Sequence, residues 1–357
     1  MDERNDMLGM LDLMLRPGFC VKDNRIIRVN QAAKGFFLSP GTELEPILLT
    51  GVEEYSEFTG GCLYLTLSVG GHTMGASVTR MQDMDIFLLE QDADNRELQF
   101  MALVARELRE PLANVMINAE NLIPQAALQD DPHAREGTAK LNKGLFQMLR
   151  VIGNMSDACR YSTASRQELL TVSDVIYEIM EKAQAMIAHT GIRLRYSGPQ
   201  ESVLSMADKE QLERSVLNML SNALKFTPKD GTIEVSLTRK GRMLRLSVTD
   251  SGCGIDESVR ANVFNRYLRQ LSVEDSRFGI GLGMVLIRCT AANHGGAVLI
   301  DHPEGKGTRI TMTIMIRENP DSILRSPLVR VDYAGGHDHT LLELSDCLPA
   351  SLYEAEL

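Results

Sequence analysis

The hydrophobic pattern changes period near Asp94, and this change limits what the chain can fold into more than any other feature. Beyond it Met101, Ala105, Leu108, Leu112, Val115, Ala119 and Leu122 recur at intervals of four and three residues. That spacing lays a single apolar seam along a helix. A stretch containing Pro124, Pro132 and Gly137 reads as a loop, after which Leu141, Leu145, Met148, Ile152, Met155 and Cys159 repeat the pattern. Two seamed helices joined by a loop make a helical hairpin. One hairpin buries its seam poorly, and two copies paired into a four-helix bundle bury it well, so a homodimer is expected.

The flanking regions carry the period of strands. FCVKDNRIIRVN reads as two extended runs around a Lys-Asp-Asn turn, and CLYLTLSVGGHTMGASVTR repeats the design around Gly70-Gly71. DIFLLE adds a further strand. A strand hairpin, a helical middle and three strands resemble the small ligand-sensing PAS domain that heads many signalling proteins. A packing module without a ligand is the alternative. From Thr171 to Arg317 helices and strands alternate, with hairpins in IEVSLTRKGRMLRLSVTD and AVLIDHPEGKGTRITMTIMI. This predicts an α+β layer, a mixed sheet covered by helices on one side. The expected organisation is a PAS-like α/β domain over 1–93, a dimerisation hairpin over 94–166, an α/β sandwich domain over 167–318 and an irregular acidic tail over 319–357.

Charge and composition narrow the function. The chain has 37 Lys and Arg against 48 Asp and Glu, a net charge of −11, which argues against broad binding to nucleic acid or an anionic membrane. No apolar run reaches the roughly 18 to 20 residues of a membrane span, and MDERNDMLGM lacks the features of a signal peptide. A cytoplasmic location is expected. The cysteines at 20, 62, 159, 253, 289 and 347 show no C-x-x-C spacing and read as buried thiols. His337 and His339, in AGGHDHT, read as part of a solvated loop, and no transition-metal site is expected.

Three motifs in fixed order carry the chemistry. In the helix LERSVLNMLSNALKFTP, Leu212, Val216, Leu220 and Leu224 mark the core face, while Asn218, Asn222 and Lys225 form a polar stripe. An Asn carbonyl can ligate magnesium and a Lys ammonium can meet a phosphate, although for this helix taken alone a solvated face is the better explanation. VTDSGCGID ends a strand on Asp250 and turns through Gly252 and Gly254. FGIGLGMVLIRC runs Gly279, Gly281 and Gly283 straight into an apolar helix, which offers backbone N–H groups to phosphates. Taken singly, the last two also fit a common turn and a flexible linker.

Together with VFNRYLR and a late G-K-G-T ending at Thr308, the three motifs resemble the ATP-binding domain of the sensor histidine kinase family. NMLSNALKFT resembles its Asn box, and DSGCGI and GIGLGM its two glycine boxes. The resemblance implies Asn222 on magnesium, Asn218 and Lys225 near the phosphates, and Asp250 on the adenine amine. It also implies that Gly279 to Gly283 cradle the phosphates under a mobile lid, with Tyr267 lining the adenine pocket. Hydrolysing ATPases of the same fold carry a Glu one turn before the magnesium Asn. Here that position is Asn218, an amide that cannot act as a general base, so the kinase branch is favoured.

FMALVARELREPLANV resembles the family's phosphoacceptor box, S-H-E-L-R-T-P-L, but the histidine is Arg106. Residue 106 lies off the seam, where Arg is tolerated and could pair with Glu110. Phosphoryl transfer needs a nucleophilic lone pair, which neutral imidazole supplies and a guanidinium, with a pKa above about 12, does not. Glu107, the family's proton acceptor beside the histidine, is retained, while Glu110 replaces the polar residue that positions water for dephosphorylating a response regulator. His133, in the hairpin loop, and His189, His294 and His302 lack the acceptor's setting of an exposed helix followed by Glu and Pro. The favoured reading is an ATP- and Mg-binding signalling protein, a pseudokinase or regulator, paired with itself or with another kinase and facing a possible response regulator. The alternatives are an active histidine kinase using another acceptor or working in trans, and a nucleotide-independent scaffold.

Overall fold

The computed structural model describes residues 9, 11–81, 83–122, 131–163, 165–255, 263–264, 281–303, 307–317 and 333–354. At the N-terminal side, β1 (Gly18–Lys22) and β2 (Arg25–Val29) pair antiparallel around Asp23 and Asn24, both at positive φ. Short helical turns and α1 (Val52–Ser56) follow, then β3 (Cys62–Val69), β4 (His72–Met81) and β5 (Met84–Leu89). Gly70 and Gly71 close the β3–β4 hairpin at φ +59° and +81°, a left-handed pair that matches the right-handed twist of the strands. The strand order β2-β1-β5-β4-β3 encloses Phe19, Leu63, Leu65, Leu67 and Phe87 as its core.

The long helices α2 (Asp92–Leu122) and α3 (Pro132–Thr163) form the hairpin. Ala105, Leu112, Met116 and Ala119 of α2 pack against Leu145 and Ile152 of α3. Two details differ from expectation. Pro132 opens α3 and Gly137 lies within it, so neither belongs to a loop. Proline suits a first helical position because its missing N–H would be unpaired there in any case. His133 is consequently a first-turn residue of α3 rather than a loop residue, and its N–H donates to Asp131 Oδ1 at 2.8 Å.

The C-terminal half contains β6 (Glu168–Thr171), α4 (Val172–Ile187), β7 (Arg193–Ser197), β8 (Leu204–Ala207), α5 (Lys209–Phe226), β9 (Thr232–Lys240) and β10 (Met243–Asp250). It continues with α6 (Leu282–Asn293), β11 (Val298–Asp301) and β12 (Arg309–Met315). The sheet is mixed, with β7 parallel to β9 and the other pairs antiparallel. β11 also pairs with β3, matching Val298 with Tyr64, Leu299 with Leu63 and Ile300 with Cys62. The two halves therefore share a ten-stranded sheet of order β2-β1-β5-β4-β3-β11-β12-β10-β9-β7. Edge-to-edge pairing joins the N-terminal and C-terminal strands, each edge satisfying the other's backbone groups.

The tail is not irregular throughout. Asp338 caps α7 (His339–Glu343) through the amides of Thr340 and Leu341, and a 3₁₀ turn spans Ala350–Tyr353. Leu341, Leu342, Leu344, Leu348 and Tyr353 join the main core, with Tyr353 edge-on to Phe146 of α3 at 5.2 Å. No helix among the described residues is long and apolar enough to cross a membrane.

Candidate nucleotide site

α5 begins where Asp208 accepts the Gln211 N–H and ends at Thr227. Its Leu212, Val216, Leu220 and Leu224 are buried, as their spacing predicts. The polar stripe of the same helix is not a solvated face: Asn218 is 2% exposed and Ser221 is buried. Asn222 and Lys225 are half-buried, and the Asn222 amide has no hydrogen-bond partner among the described residues.

Two backbone segments reach α5, and a third, at Gly307 and Thr308, packs on one of them. Gly281 caps α6 at φ +79°, and a Cβ on Gly283 would lie 2.6 Å from Asn218 Oδ1. The start of α6 thus abuts the Asn stripe, and only glycine permits so close an approach. Asp250 ends β10, where its Oδ1 accepts from the N–H of Gly252 at 2.8 Å and of Thr308 at 3.3 Å. Its backbone N–H donates to Thr308 O at 2.9 Å, and a Cβ on Gly307 would overlap the Asp250 carbonyl. A Cβ on Gly252 would overlap the carbonyl of Phe226, at the end of α5. Gly254, at φ +78°, lies beside Gly307 and His302. Burial pushes the Asp250 carboxyl above its ordinary range, against the two backbone donors and His302, which pull it down. Its Oδ2 has no donor among the described residues. The arrangement offers a buried acceptor at one end and an amide-and-lysine stripe under a helix start at the other.

The structure thus brings together Asn218, Asn222 and Lys225, and next to them Gly281 and Gly283; it also brings together Asp250, Gly252, Gly254 and Thr308. Tyr267 and Gly279 lie outside the described residues.

A second polar network against α5 was not anticipated. Arg214, 1% exposed, bonds to Asp157 and Asn154 of α3, and its Nη2 lies 3.1 Å from Glu343 Oε1. Arg150 of α3 donates to Asn218 Oδ1 at 3.4 Å and to Ser221 Oγ at 3.0 Å. Arg150, Asn154 and Asp157 follow Phe146 at intervals of four, four and three, which is the signal that could have found them.

Arg106 is 74% exposed on α2, and its Nη2 lies 3.4 Å from Glu107 Oε1. The expected pairing with Glu110 is not made. Three other histidines have structural surroundings. His294 is buried, accepting the Asp208 N–H at 2.9 Å, and its imidazole is held below its ordinary range by burial. His337 packs on Phe146, and His339 lies 2.9 Å from Glu213.

Residues 207–318 match the model of the histidine kinase-, DNA gyrase B- and HSP90-like ATPases. Among similar curated proteins is the adaptive-response sensory kinase SasA of Synechocystis, 28% identical over 254 residues, 66% of this chain and 65% of that one. The sensor protein KdpD of Clostridium acetobutylicum is 24% identical over 237 residues, 63% of this chain and 26% of that protein. The chain therefore spans between about a quarter and two thirds of the length of these relatives. A solved structure of full-length ShkA in complex with AMPPNP aligns with a TM-score of 0.49 and 21% identity, covering 62% of this chain and 46% of that one. The mycobacterial sensor histidine kinase MprB aligns with a TM-score of 0.36 and 28% identity, covering 43% of this chain and all of that one.

Proposed function

We propose that this chain, a member of the sensor histidine kinase family with the family's ATP-binding domain, is a signalling regulator that binds Mg-ATP without phosphorylating itself at position 106. The observation that carries the reading is the contrast between two places. The residues that would hold nucleotide converge, whereas the helix position that would receive phosphate presents an exposed guanidinium.

The site residues fit the group. Asp250 Oδ2 would accept the exocyclic amine of adenine, while Oδ1 is fixed by the Gly252 and Thr308 amides. The Asn222 amide, without a partner among the described residues, would hold magnesium, and Asn218 and Lys225 would stand near the phosphates. Bound magnesium would offset phosphate charge. Gly283 keeps the start of α6 close to that end. Asn218 supplies no base for water, so bound ATP is expected to persist rather than be hydrolysed quickly.

The remaining parts fit a signalling assembly. The helical segment between β2 and β3 and the order of the five strands support a PAS-like N-terminal module. Leu108 and Val115 of α2 and Leu141 and Met148 of α3 stay exposed on the single chain, at seam positions. A second hairpin, from another copy or from a related kinase, would bury them. A cytoplasmic location and a response regulator as partner belong to the same reading.

The test is an equilibrium titration with a fluorescent ATP analogue and magnesium. Saturable binding is expected, with the nucleotide recovered as triphosphate after prolonged incubation. Asp250→Asn is expected to weaken binding at least about tenfold, the range of one charge-assisted hydrogen bond. Undiminished binding by that variant, or rapid release of diphosphate, would contradict the reading.

A further inference from the structure

We propose that the C-terminal segment is a tethered competitor of nucleotide: its carboxylates Glu343 and Asp346 hold the side chains that would otherwise meet the phosphates. The inference rests on the reading of α5 as the phosphate side of an ATP site.

The contacts are specific. Asp346 Oδ2 lies 2.7 Å from Lys225 Nζ and 2.7 Å from Arg150 Nη1. Asn218 Nδ2 donates to Glu343 Oε2 at 3.3 Å, and Arg150 Nε reaches the same oxygen at 3.4 Å. Glu343 is fully buried, and Arg214 compensates its other oxygen at 3.1 Å. Two of the three polar residues of the α5 stripe are thus engaged by carboxylates of the tail, and Asn222 alone is left open. Cys347 follows directly, with its thiol 3.6 Å from Ser221 O.

The segment is anchored beyond these charges. Asn142 Nδ2 donates to Tyr353 O at 2.9 Å, Lys143 Nζ to Leu348 O at 2.7 Å, and Tyr353 Oη to Leu341 O at 2.8 Å. Leu344, Leu348 and Tyr353 are fully buried. An anchored segment presents its carboxylates at high effective concentration without any further binding step.

Charge makes the two occupants exclusive. A carboxylate on Lys225 repels a phosphate that approaches the same ammonium, and partial burial keeps water from screening the repulsion. Burial works against the Asp346 charge, but Arg150, Lys225 and Lys143 overcome it and hold the carboxyl below its ordinary range, so the competitor is charged at neutral pH. The tail also grips Asn142, Lys143 and Arg150 of α3, so its release would remove one of the links between that helix and α5.

The experiment compares three full-length chains: the native one, Asp346→Asn and Asp346→Ala. Each is titrated with a fluorescent ATP analogue in magnesium, and hydrogen exchange is followed at the amides of residues 339–353. Asp346→Asn, an isosteric change that needs no refolding of the tail, is expected to bind about tenfold more tightly than the native chain. Asp346→Ala is expected to do at least as well, and saturating nucleotide to accelerate exchange in the native tail. Equal affinities with unchanged exchange would overturn the competition and leave the ATP reading standing. Absence of saturable binding in all three chains would overturn the ATP reading and the competition with it.

Discussion

Asp250 and Arg106 show how much one side chain decides. Asp250 is fixed by two amides and raised by burial, so its pH behaviour has a definite sign. A carboxyl raised in the folded state contributes stability below its unfolded pKa and loses it as pH rises through the folded value. Asp250→Asn keeps the acceptor for both amides and removes the buried charge. It is expected to lose nucleotide while melting no lower than the native chain at neutral pH, as differential scanning fluorimetry would record. Adenine favours the ionised form, so native affinity should fall on acidification, starting above the ordinary carboxylate range. Arg106 could be read from the sequence for a different reason: an exposed position imposes no packing requirement, so its chemistry is carried by residue type alone.

At the scale of elements, local periodicity explains what was legible. Both hairpin turns, the alternation of β9 and β10, and the glycines leading into α6 are set by neighbours in sequence. The seam was legible as well, but it divides in a way that spacing alone does not reveal. Ala105, Leu112 and Ala119 face α3, while Leu108 and Val115, three residues on in each case, remain exposed. Such a stripe is expected to be an interface between hairpins. Leu108→Glu combined with Met148→Glu should convert a dimer into a monomer in light scattering, with the helical circular dichroism retained. A monomeric native chain would refute the bundle. Gly137 falls inside α3 and not in the expected loop, because Pro132 sits at the helix start, where proline favours the helix that follows.

The whole molecule is held by pairings that no local pattern announces. β3 meets β11 across more than two hundred residues of chain, and the tail reaches α3 over a comparable span. Arg214 sits where α3, α5 and the tail meet, flanked by Asp157, Asn154 and Glu343 and lying over the Tyr333 ring at 4.6 Å. Arg214→Ala would take the most buried partner from both Asp157 and Glu343, which keep only Arg160 and Arg150, and is expected to cost about 3 kcal/mol, seen as a lowered denaturant midpoint. Arg150 and Arg214 lie on buried helix faces, and their partners in the tail cannot be inferred from either helix alone. The motifs of the proposed nucleotide site are local, whereas the tail contacts of Lys225 and Asn218 are set by the fold at large. The most direct measurement incubates the native chain and Arg106→His with γ-labelled ATP and magnesium, then follows acid-labile, alkali-stable label on the protein. No label on the native chain and label on Arg106→His is the expected result; stable label on the native chain would contradict the account.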